Sequence, residues 1–456
     1  MADGNVSGDC KNDSDDLLLD PKVFTLDDST GQEPEGQTLW PRPLARTWTL
    51  MLFLDTCLLF CARMVMPICT VSMASTFHWT KTESGLVLGG FFWGYCFTQI
   101  LGGHVSDKVG GERVLFISTA SWAVITAVTP LLAKVGNYPL ALMTMSRFLM
   151  GLSQGVHYPS LASLCSQRIE EGERGFLMSI MHSGSNMGTL IVGGLGSLML
   201  EWYGWESVFY GTGLLSGLWV LMAWQYFLKG QVIPKQRISS KDAQWSLSVW
   251  LSLLKKPPVC AMVIAHMCIN SALYTVLSWL PTYFEDSFPH ALGWVYNVIP
   301  WLVAIPSALG GGYVSDFLIS QGYAVASVRK IMQFFAMGVS SMFLLLLCSP
   351  VKFTSALAYI SAAVGFSAFT CSGVSMNVQD LTPSCAGALF GVMNMCGAFM
   401  GLLLVSFSGY LIEVTLSWAM VFSVITLVNV TGLGFFVFFG DAHRVDLEVY
   451  SQVTPT

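Results

Sequence analysis

The chain is built from long apolar segments separated by short polar ones, and twelve of the apolar segments are long enough to cross a membrane. A helix needs roughly 20 apolar residues to span about 30 Å of hydrocarbon. The predicted spans cover residues 46–67, 84–105, 113–134, 139–160, 175–200, 206–228, 258–280, 294–315, 329–348, 355–378, 386–411 and 417–439. The pattern predicts an all-α membrane protein with twelve transmembrane helices.

The longest polar interruption follows the sixth span and divides the chain into two six-helix bundles. We expect an acidic tail over 1–45, an N-terminal bundle over 46–228, a linker over 229–257, a C-terminal bundle over 258–440 and a second tail over 441–456. The first 35 residues contain ten acidic and two basic side chains and few aromatic ones. Such a segment is expected to be disordered.

Composition excludes most soluble proteins. Hydrophobic residues make up 53% of the 456 residues and charged residues 11%, whereas soluble domains carry roughly 25% charged residues. The sequence shows no metal-ligand cluster, no phosphate-binding loop and no nucleophile elbow at a strand-to-helix turn, and its 12 cysteines include no C-x-x-C pair. We therefore expect neither an enzyme nor a resident cofactor or metal, and no nucleic-acid partner.

The distribution of basic residues predicts the orientation. With the N-terminus in the cytosol, 17 basic residues fall on the cytosolic side and 3 on the other. The positive-inside rule therefore places both termini in the cytosol. Two of the 22 basic residues remain, Arg63 and Arg147, and both lie inside predicted apolar spans.

The two halves repeat one another in sequence. Residues 102–107 read Gly-Gly-His-Val-Ser-Asp after the second span, and residues 311–316 read Gly-Gly-Tyr-Val-Ser-Asp after the eighth. Parallel repeats of six spans are typical of transporters in which two bundles rock about a site near the middle of the membrane.

Arg147 is the first candidate for that site. Gly151, Gly155 and Pro159 follow it at intervals of four residues, so all four lie on one helix face. The glycines are predicted to clear a groove along that face. An arginine inside a span costs about 3 kcal/mol or more and usually faces a cavity where it has a function.

Arg63, in the first predicted span, is the second candidate for that site. It lies about 25 Å from the cytosolic end of the predicted first span, so snorkelling to the far interface is an alternative to a role in binding. Asp55 is the main acid inside a span, but the helical period turns it about 80° from Arg63. Two cations with few acids nearby predict an anion site, and guanidinium groups suit carboxylate and phosphate.

The loop after the second span carries a recognisable motif. Residues 103–113 resemble the G-x-x-x-D-K/R-x-G-G-x-R signature of the major facilitator superfamily. The resemblance implies the major facilitator fold, with Asp107, Arg113 and the second-half Asp316 acting as a conformational latch between the bundles. A charged helix end in water is the alternative interpretation.

Further segments resemble one family within that superfamily, the anion-cation symporters. They are residues 91–99, 147–159 and 281–285, and the likeness extends over about 45–440. Residues 61–73, 293–306 and 379–387 are most similar to the family's nucleotide-carrying members. The resemblance implies a vesicular or lysosomal transporter of nucleotide anions such as ATP, ADP and GTP, with chloride as an activator.

Two positions depart from the members of the family that carry glutamate or sialic acid. Gln154 stands where those members have a glutamate, and Leu88 stands where the glutamate carriers have a histidine. Because neither residue titrates, we expect transport driven by a lumen-positive membrane potential rather than obligatory proton coupling. Smaller organic anions (glutamate, aspartate, sialic acid) are the alternative cargo, and an anion channel is a second alternative.

The remaining expectations concern aromatic and tail residues. Trp93, Tyr95, Tyr274, Trp279 and Trp301 are candidates for stacking on a purine, and Tyr95 with Asn394 are our choices for further substrate contacts near mid-span. In the N-terminal tail, Asp13, Leu17 and Leu18 fit the acidic dileucine pattern [D/E]-x-x-x-L-[L/I]. This pattern is read by clathrin adaptors and agrees with the expected location in secretory vesicles and lysosomes; a chance match in a tail without a sorting role is the alternative interpretation.

Overall fold

The computed structural model describes residues 40–134, 138–168, 171–225, 247–382 and 386–445, without some helical side chains such as those of Asp107 and His182. The dileucine pattern of residues 13–18 and nearly all of the two predicted tails lie outside the described residues. So does the predicted linker up to residue 246.

Every regular element in the described ranges is helical. The α-helices are α1 (Arg42–Phe77), α2 (Lys81–Val109), α3 (Gly111–Lys134), α4 (Pro139–Gly155), α5 (His157–Arg168), α6 (Glu171–Ile191), α7 (Ser197–Tyr203), α8 (Trp205–Ala223), α9 (Leu247–Leu254), α10 (Pro257–Ser287), α11 (Gly293–Ser320), α12 (Val325–Gln333), α13 (Ser340–Leu346), α14 (Phe353–Ser367), α15 (Val374–Leu381), α16 (Ala386–Thr415) and α17 (Trp418–Phe439). Short π or 3₁₀ turns join α6 to α7, α12 to α13 and α14 to α15.

Nine helical stretches in the described part of the chain are long and apolar enough to cross a membrane. They correspond to nine of the predicted spans. The other three predicted spans are formed by α4 with α5, by α6 with α7, and by α8. The first two of these spans are each divided into two helices, and α4 ends after 17 residues. The third is the single helix α8, of 19 residues.

The first helix is longer than the sequence predicts. α1 contains 36 residues and continues through Pro67 to Phe77, whereas the predicted span ends at residue 67. The extension is stabilised by packing, since Ile68, Cys69 and Met73 are buried in the core. The end of α1 therefore does not coincide with the predicted end of the first span. Arg63 precedes the end of α1 by fourteen residues, or about 21 Å of helix.

The fourth span breaks where proline follows glycine. Pro159 has no N–H with which to bond the carbonyl of Gly155 four residues earlier, and α4 ends at Gly155 while α5 begins at His157. The side chain of Gln99, on α2, donates to that carbonyl at 3.0 Å. An amide from a neighbouring helix thus satisfies the backbone group that the proline leaves free.

The glycines of the fourth span pack against α2 rather than opening a groove. A Cβ on Gly151 would overlap the carbonyl oxygen of Phe91, and a Cβ on Gly155 would overlap the hydroxyl of Thr98. On the facing helix, a Cβ on Gly94 would overlap the carbonyl of Phe148. The prediction of an open groove is wrong, because α2 fills it, and the close approach fixes Phe91 beside Arg147.

Contacts between the two halves gather at the end where α2 begins and α10 ends. Lys81 forms a 2.7 Å ion pair with Asp286, and the backbone N–H of Thr82 donates to Glu413 at 2.8 Å. Nearby, Asn297 on α11 donates to Ser197 on α7 at 3.0 Å. In the predicted orientation this is the non-cytosolic end, which these contacts close.

The glycine contact yields a prediction about stability. Gly151→Ala should lower the thermal stability of the detergent-solubilised protein, since forcing a methyl group against a backbone oxygen costs about 1–3 kcal/mol. Gly217→Ala, inside α8 with nothing within 4 Å of its added Cβ, is the matched control and should not lower it. Melting curves followed by size-exclusion chromatography measure both. Equal stability of the two variants would contradict the close packing of α2 on α4.

Candidate functional site

Arg63 on α1 and Arg147 on α4 meet at the ring of Phe91. The guanidinium carbon of Arg63 lies 4.9 Å from the ring centre and that of Arg147 lies 5.0 Å from it. Both arginines are buried, with 6% and 4% of their surface exposed. The structure therefore brings together the two cations that the sequence singles out, and Arg63 does not snorkel to an interface.

Aromatic rings and one amide hold the Arg63 guanidinium. Its carbon lies 4.6 Å from the ring centre of Phe60 and 5.0 Å from that of Tyr95. Its Nε donates to Gln154 Oε1 at 3.1 Å, and Gln154 Nε2 donates to the carbonyl of Leu59 at 3.2 Å. Gln154 is thus fixed at both ends of its amide and orients Arg63.

The two guanidiniums lack a negatively charged partner. Among the described side chains neither forms an ion pair, and Arg63 Nη2 and Arg147 Nε are buried without a hydrogen-bond acceptor. Arg147 Nη1 reaches only the sulfur of Met150, at 3.2 Å. Buried charge without a partner is costly, so the arrangement favours an anion that takes up the free donors.

Three tyrosines stand around the arginines. Tyr95, a predicted substrate contact, lies against Arg63 and is buried. Tyr158 and Tyr274 lie close enough to Arg63 and Tyr95 to interact with them electrostatically. Sequence reasoning missed Tyr158, which lies in the first turn of α5, just after the break in the fourth span. The ring of Tyr274 packs on Phe92, with ring centres 4.8 Å apart.

The other predicted contacts lie elsewhere. Asn394, on α16, bonds to His266 Nε2 at 3.0 Å rather than to either arginine. Trp93 is 52% exposed on the outer side of α2, and Trp279 donates to the backbone of α16 at Val405. Of the stacking candidates, Tyr95 and Tyr274 are the two that lie near the arginines.

Asp55 belongs to a separate buried cluster. Thr119 donates to Asp55 Oδ1 at 2.9 Å, and His157 Nδ1 lies 3.5 Å from Oδ2. The other ring nitrogen of His157 lies 3.1 Å from the hydroxyl of Thr56. Asp55 is therefore committed to α3 and α5, and the acid predicted to lie inside the first span does not neutralise Arg63.

Two buried ion pairs stand at the opposite end of the bundles from Lys81. Arg168 Nε donates to Glu112 at 2.9 Å, and Arg329 Nε donates to Asp380 at 2.8 Å. Both pairs join the third helix of a half to its fourth, with the charges reversed between halves. The sequence analysis missed them, although their place after each Gly-Gly-x-Val-Ser-Asp repeat was a signal.

The repeat itself anchors these ends. Ser106 and Ser160 share a hydrogen bond, while Ser315, the counterpart of Ser106, accepts from Arg329 at 3.0 Å. Arg113 and Asp316 are exposed, and the side chain of the third predicted latch residue, Asp107, lies outside the described residues. The latch stays a prediction.

Comparison with known proteins places this geometry in a family. The model of the Major Facilitator Superfamily matches residues 51–405. The human voltage-gated purine nucleotide uniporter SLC17A9 is 48% identical over 427 residues, which are 92% of this chain and 97% of the relative. The sodium-dependent phosphate transport protein 1 of Arabidopsis thaliana chloroplasts is 31% identical over 422 residues, 88% of this chain and 81% of the relative.

The solved structures agree on the fold. A bacterial homologue of the human lysosomal transporter Spinster, in an inward-facing and occupied conformation, superposes with a TM-score of 0.70 at 14% identity. The match covers 91% of this chain and 100% of that one. The predicted all-helical fold class is confirmed, and the chain is a membrane transporter rather than an enzyme. It belongs to the Major Facilitator Superfamily and, within it, to the family of the SLC17A9 purine nucleotide uniporters.

Proposed function

We propose that this protein carries purine nucleotides such as ATP, ADP and GTP across the membrane by alternating access, driven by a lumen-positive potential. The single observation that supports this most is the pair of buried guanidiniums on one aromatic ring without an acidic partner among the described side chains. The activity of the purine nucleotide uniporters that this chain resembles supports the same cargo. Secretory vesicles and lysosomes are the proposed location, with both termini in the cytosol and sorting through Asp13, Leu17 and Leu18.

A polyphosphate suits the arginine pair better than a single carboxylate does. Guanidinium presents a planar fork of N–H donors that matches phosphate oxygens, and the two arginines come from different helices. A nucleotide can occupy both forks with successive phosphates. Glutamate, aspartate or sialic acid has fewer negative groups for two cations, which makes the smaller organic anions the weaker candidate.

The driving force is adequate without protons. Moving one elementary charge through 100 mV is worth about 2.3 kcal/mol. A nucleotide with three or four negative charges therefore gains roughly 7–9 kcal/mol on entering a lumen that is 100 mV positive. The neutral Gln154 beside Arg63 agrees with this mechanism, because it offers no group that must release a proton during the cycle.

Alternating access is favoured over an open channel. The contacts of Lys81 with Asp286 and of Thr82 with Glu413 join the two halves at one end, so the anion site lies behind a closed end. In the proposed cycle these contacts separate when the opposite ends approach, and Asp107, Arg113 and Asp316 latch those ends. Chloride dependence, which the family resemblance implies, is to be measured by replacing chloride with gluconate.

Removing either cation should abolish transport. We expect Arg147→Gln and Arg63→Gln each to reduce ATP uptake into proteoliposomes more than a hundredfold, because the loss of a charged hydrogen-bonding partner from a buried site costs about 3 kcal/mol or more. Arg46→Gln, an exposed arginine earlier on α1, is the matched control and should transport normally. Uptake by the Arg147 variant at the wild-type rate would refute the proposed site.

The source of energy can be separated from the pH gradient. With valinomycin and a higher potassium concentration outside than inside, proteoliposomes buffered to the same pH on both sides hold a lumen-positive potential without a pH gradient, and ATP uptake should persist. Loss of uptake under these conditions, with the potential confirmed by a voltage-sensitive dye, would instead indicate obligatory proton coupling.

Gln154→Glu should make the site depend on pH. The new carboxylate would replace an amide oxygen that lies 3.1 Å from Arg63 Nε, and an ion pair there would neutralise one of the two cations. Uptake should fall at neutral pH, where the carboxylate is charged, and recover in part as acidification protonates it. Gln154→Met, without a charge, controls for the lost hydrogen bond and should show no such recovery. A flat pH profile in both variants would contradict the proposed role of Arg63.

A further inference from the structure

A ladder of polar side chains runs along the interface between α10 and α16 in the second half. His266, almost fully buried, bonds through Nε2 to Asn394 Oδ1 at 3.0 Å. One turn further along α10, Asn270 Nδ2 donates to the backbone carbonyl of His266 at 2.9 Å. On α16, Gly397 packs against the side chain of Asn270, so the two amides belong to neighbouring steps of one ladder.

These contacts fix which atom each amide presents outward. Because the oxygen of Asn394 accepts from His266, its NH₂ group is left as a donor. Because the NH₂ group of Asn270 is bonded to a backbone carbonyl, its oxygen is left as an acceptor. Neither outward atom has a partner among the described residues, and both side chains are half-buried. His266 Nδ1 is buried and also lacks a partner there.

The ladder leads directly to the arginine pair. Tyr274 follows Asn270 by one turn of α10, about 6 Å, and its ring packs against Gly401 on α16. That ring also packs on Phe92, and Tyr274 lies within electrostatic range of Arg63. Along the direction of α10, the amides therefore come first, the ring of Tyr274 second, and the arginines of the first half third.

Unpaired amides inside membrane-spanning helices are rarely turned toward lipid, where an unsatisfied polar group is costly. Two amides with fixed orientations, one donor and one acceptor, match the edge of a nucleobase, which carries an adjacent acceptor and donor. In adenine these are N1 and the 6-amino group, and in guanine they are O6 and N1–H. An inorganic polyphosphate has no such edge.

We propose that Asn270 and Asn394 form the subsite for the nucleobase, with His266 as the residue that positions Asn394. The proposal rests on the nucleotide transport proposed above. The NH₂ group of Asn394 donates to N1 of adenine, and the oxygen of Asn270 accepts from the 6-amino group. The ring of Tyr274 packs against the nucleoside, while Arg63 and Arg147 hold the phosphates.

Competition against labelled ATP uptake by the full-length protein in proteoliposomes tests this assignment. Three competitors are compared: ATP, purine riboside triphosphate, which retains N1 but lacks the 6-amino group, and inorganic tripolyphosphate. In the wild type, ATP should compete about tenfold more strongly than purine riboside triphosphate, the factor expected for one hydrogen bond.

The two amides should fail in different ways. Asn270→Leu should weaken competition by ATP about tenfold and remove its advantage over purine riboside triphosphate. Asn394→Leu should weaken both nucleotides alike, because both retain N1. Neither variant should change competition by tripolyphosphate. If a leucine variant no longer binds tripolyphosphate in a thermal-shift assay, the serine variant at the same position replaces it. Serine removes the amide with less repacking.

His266 provides a test of positioning. His266→Leu should weaken competition by both nucleotides, as Asn394→Leu does. In His266→Gln, whose amide can still donate to Asn394, both nucleotides should compete nearly as strongly as in the wild type. Any of these variants that shifts tripolyphosphate together with ATP, or an Asn270→Leu variant that leaves the preference for ATP over purine riboside triphosphate unchanged, would overturn the subsite. Absence of ATP uptake by the wild type would instead refute the proposed function.

Discussion

A positive charge that cannot reach water or a counter-ion is the constraint on which this structure depends. Arg63 and Arg147 lie against one phenylalanine ring, buried, with N–H groups that no acceptor in the described part of the protein uses. Charges in such surroundings raise the free energy of the folded state unless something pairs with them. The bundle tolerates this cost, which binding of the proposed anion would offset.

The surrounding helices make the constraint tolerable by holding the cations rigidly. Glycines at 94 and 151 let α2 approach α4 until backbone meets backbone, which puts Phe91 between the two arginines. Two glutamine side chains complete the arrangement. Gln154 orients Arg63, and Gln99 satisfies the carbonyl that Pro159 leaves free at the break between α4 and α5. Amides do this without adding a charge that would neutralise the site.

Three of the described acids pair with groups other than the two central arginines, which leaves the site positive. Asp55 is held by Thr119 and His157. Glu112 and Asp380 pair with arginines at the ends of the third and fourth helices of each half. Charged residues thus occur in two settings: paired charges fix the helix ends within each half, and the unpaired ones in the middle form the proposed anion site.

Much of this organisation follows from the sequence because it depends on local and repeated patterns. Apolar segments of membrane length predict the helices, the Gly-Gly-x-Val-Ser-Asp repeat predicts two similar halves, and arginines inside apolar spans predict an anion site whose two members the structure brings together. The cost of placing backbone or charge in hydrocarbon is so large that composition alone reveals these features.

Contacts between distant segments were decided only by tertiary structure. The sequence could not show that packing carries α1 through Pro67, that α2 fills the groove beside Gly151, or that Asn394 faces His266 instead of Arg147. Helical periodicity gives the face on which a side chain lies but not which neighbouring helix that face meets. The partner of each buried polar group is set by how helices far apart in the chain pack together.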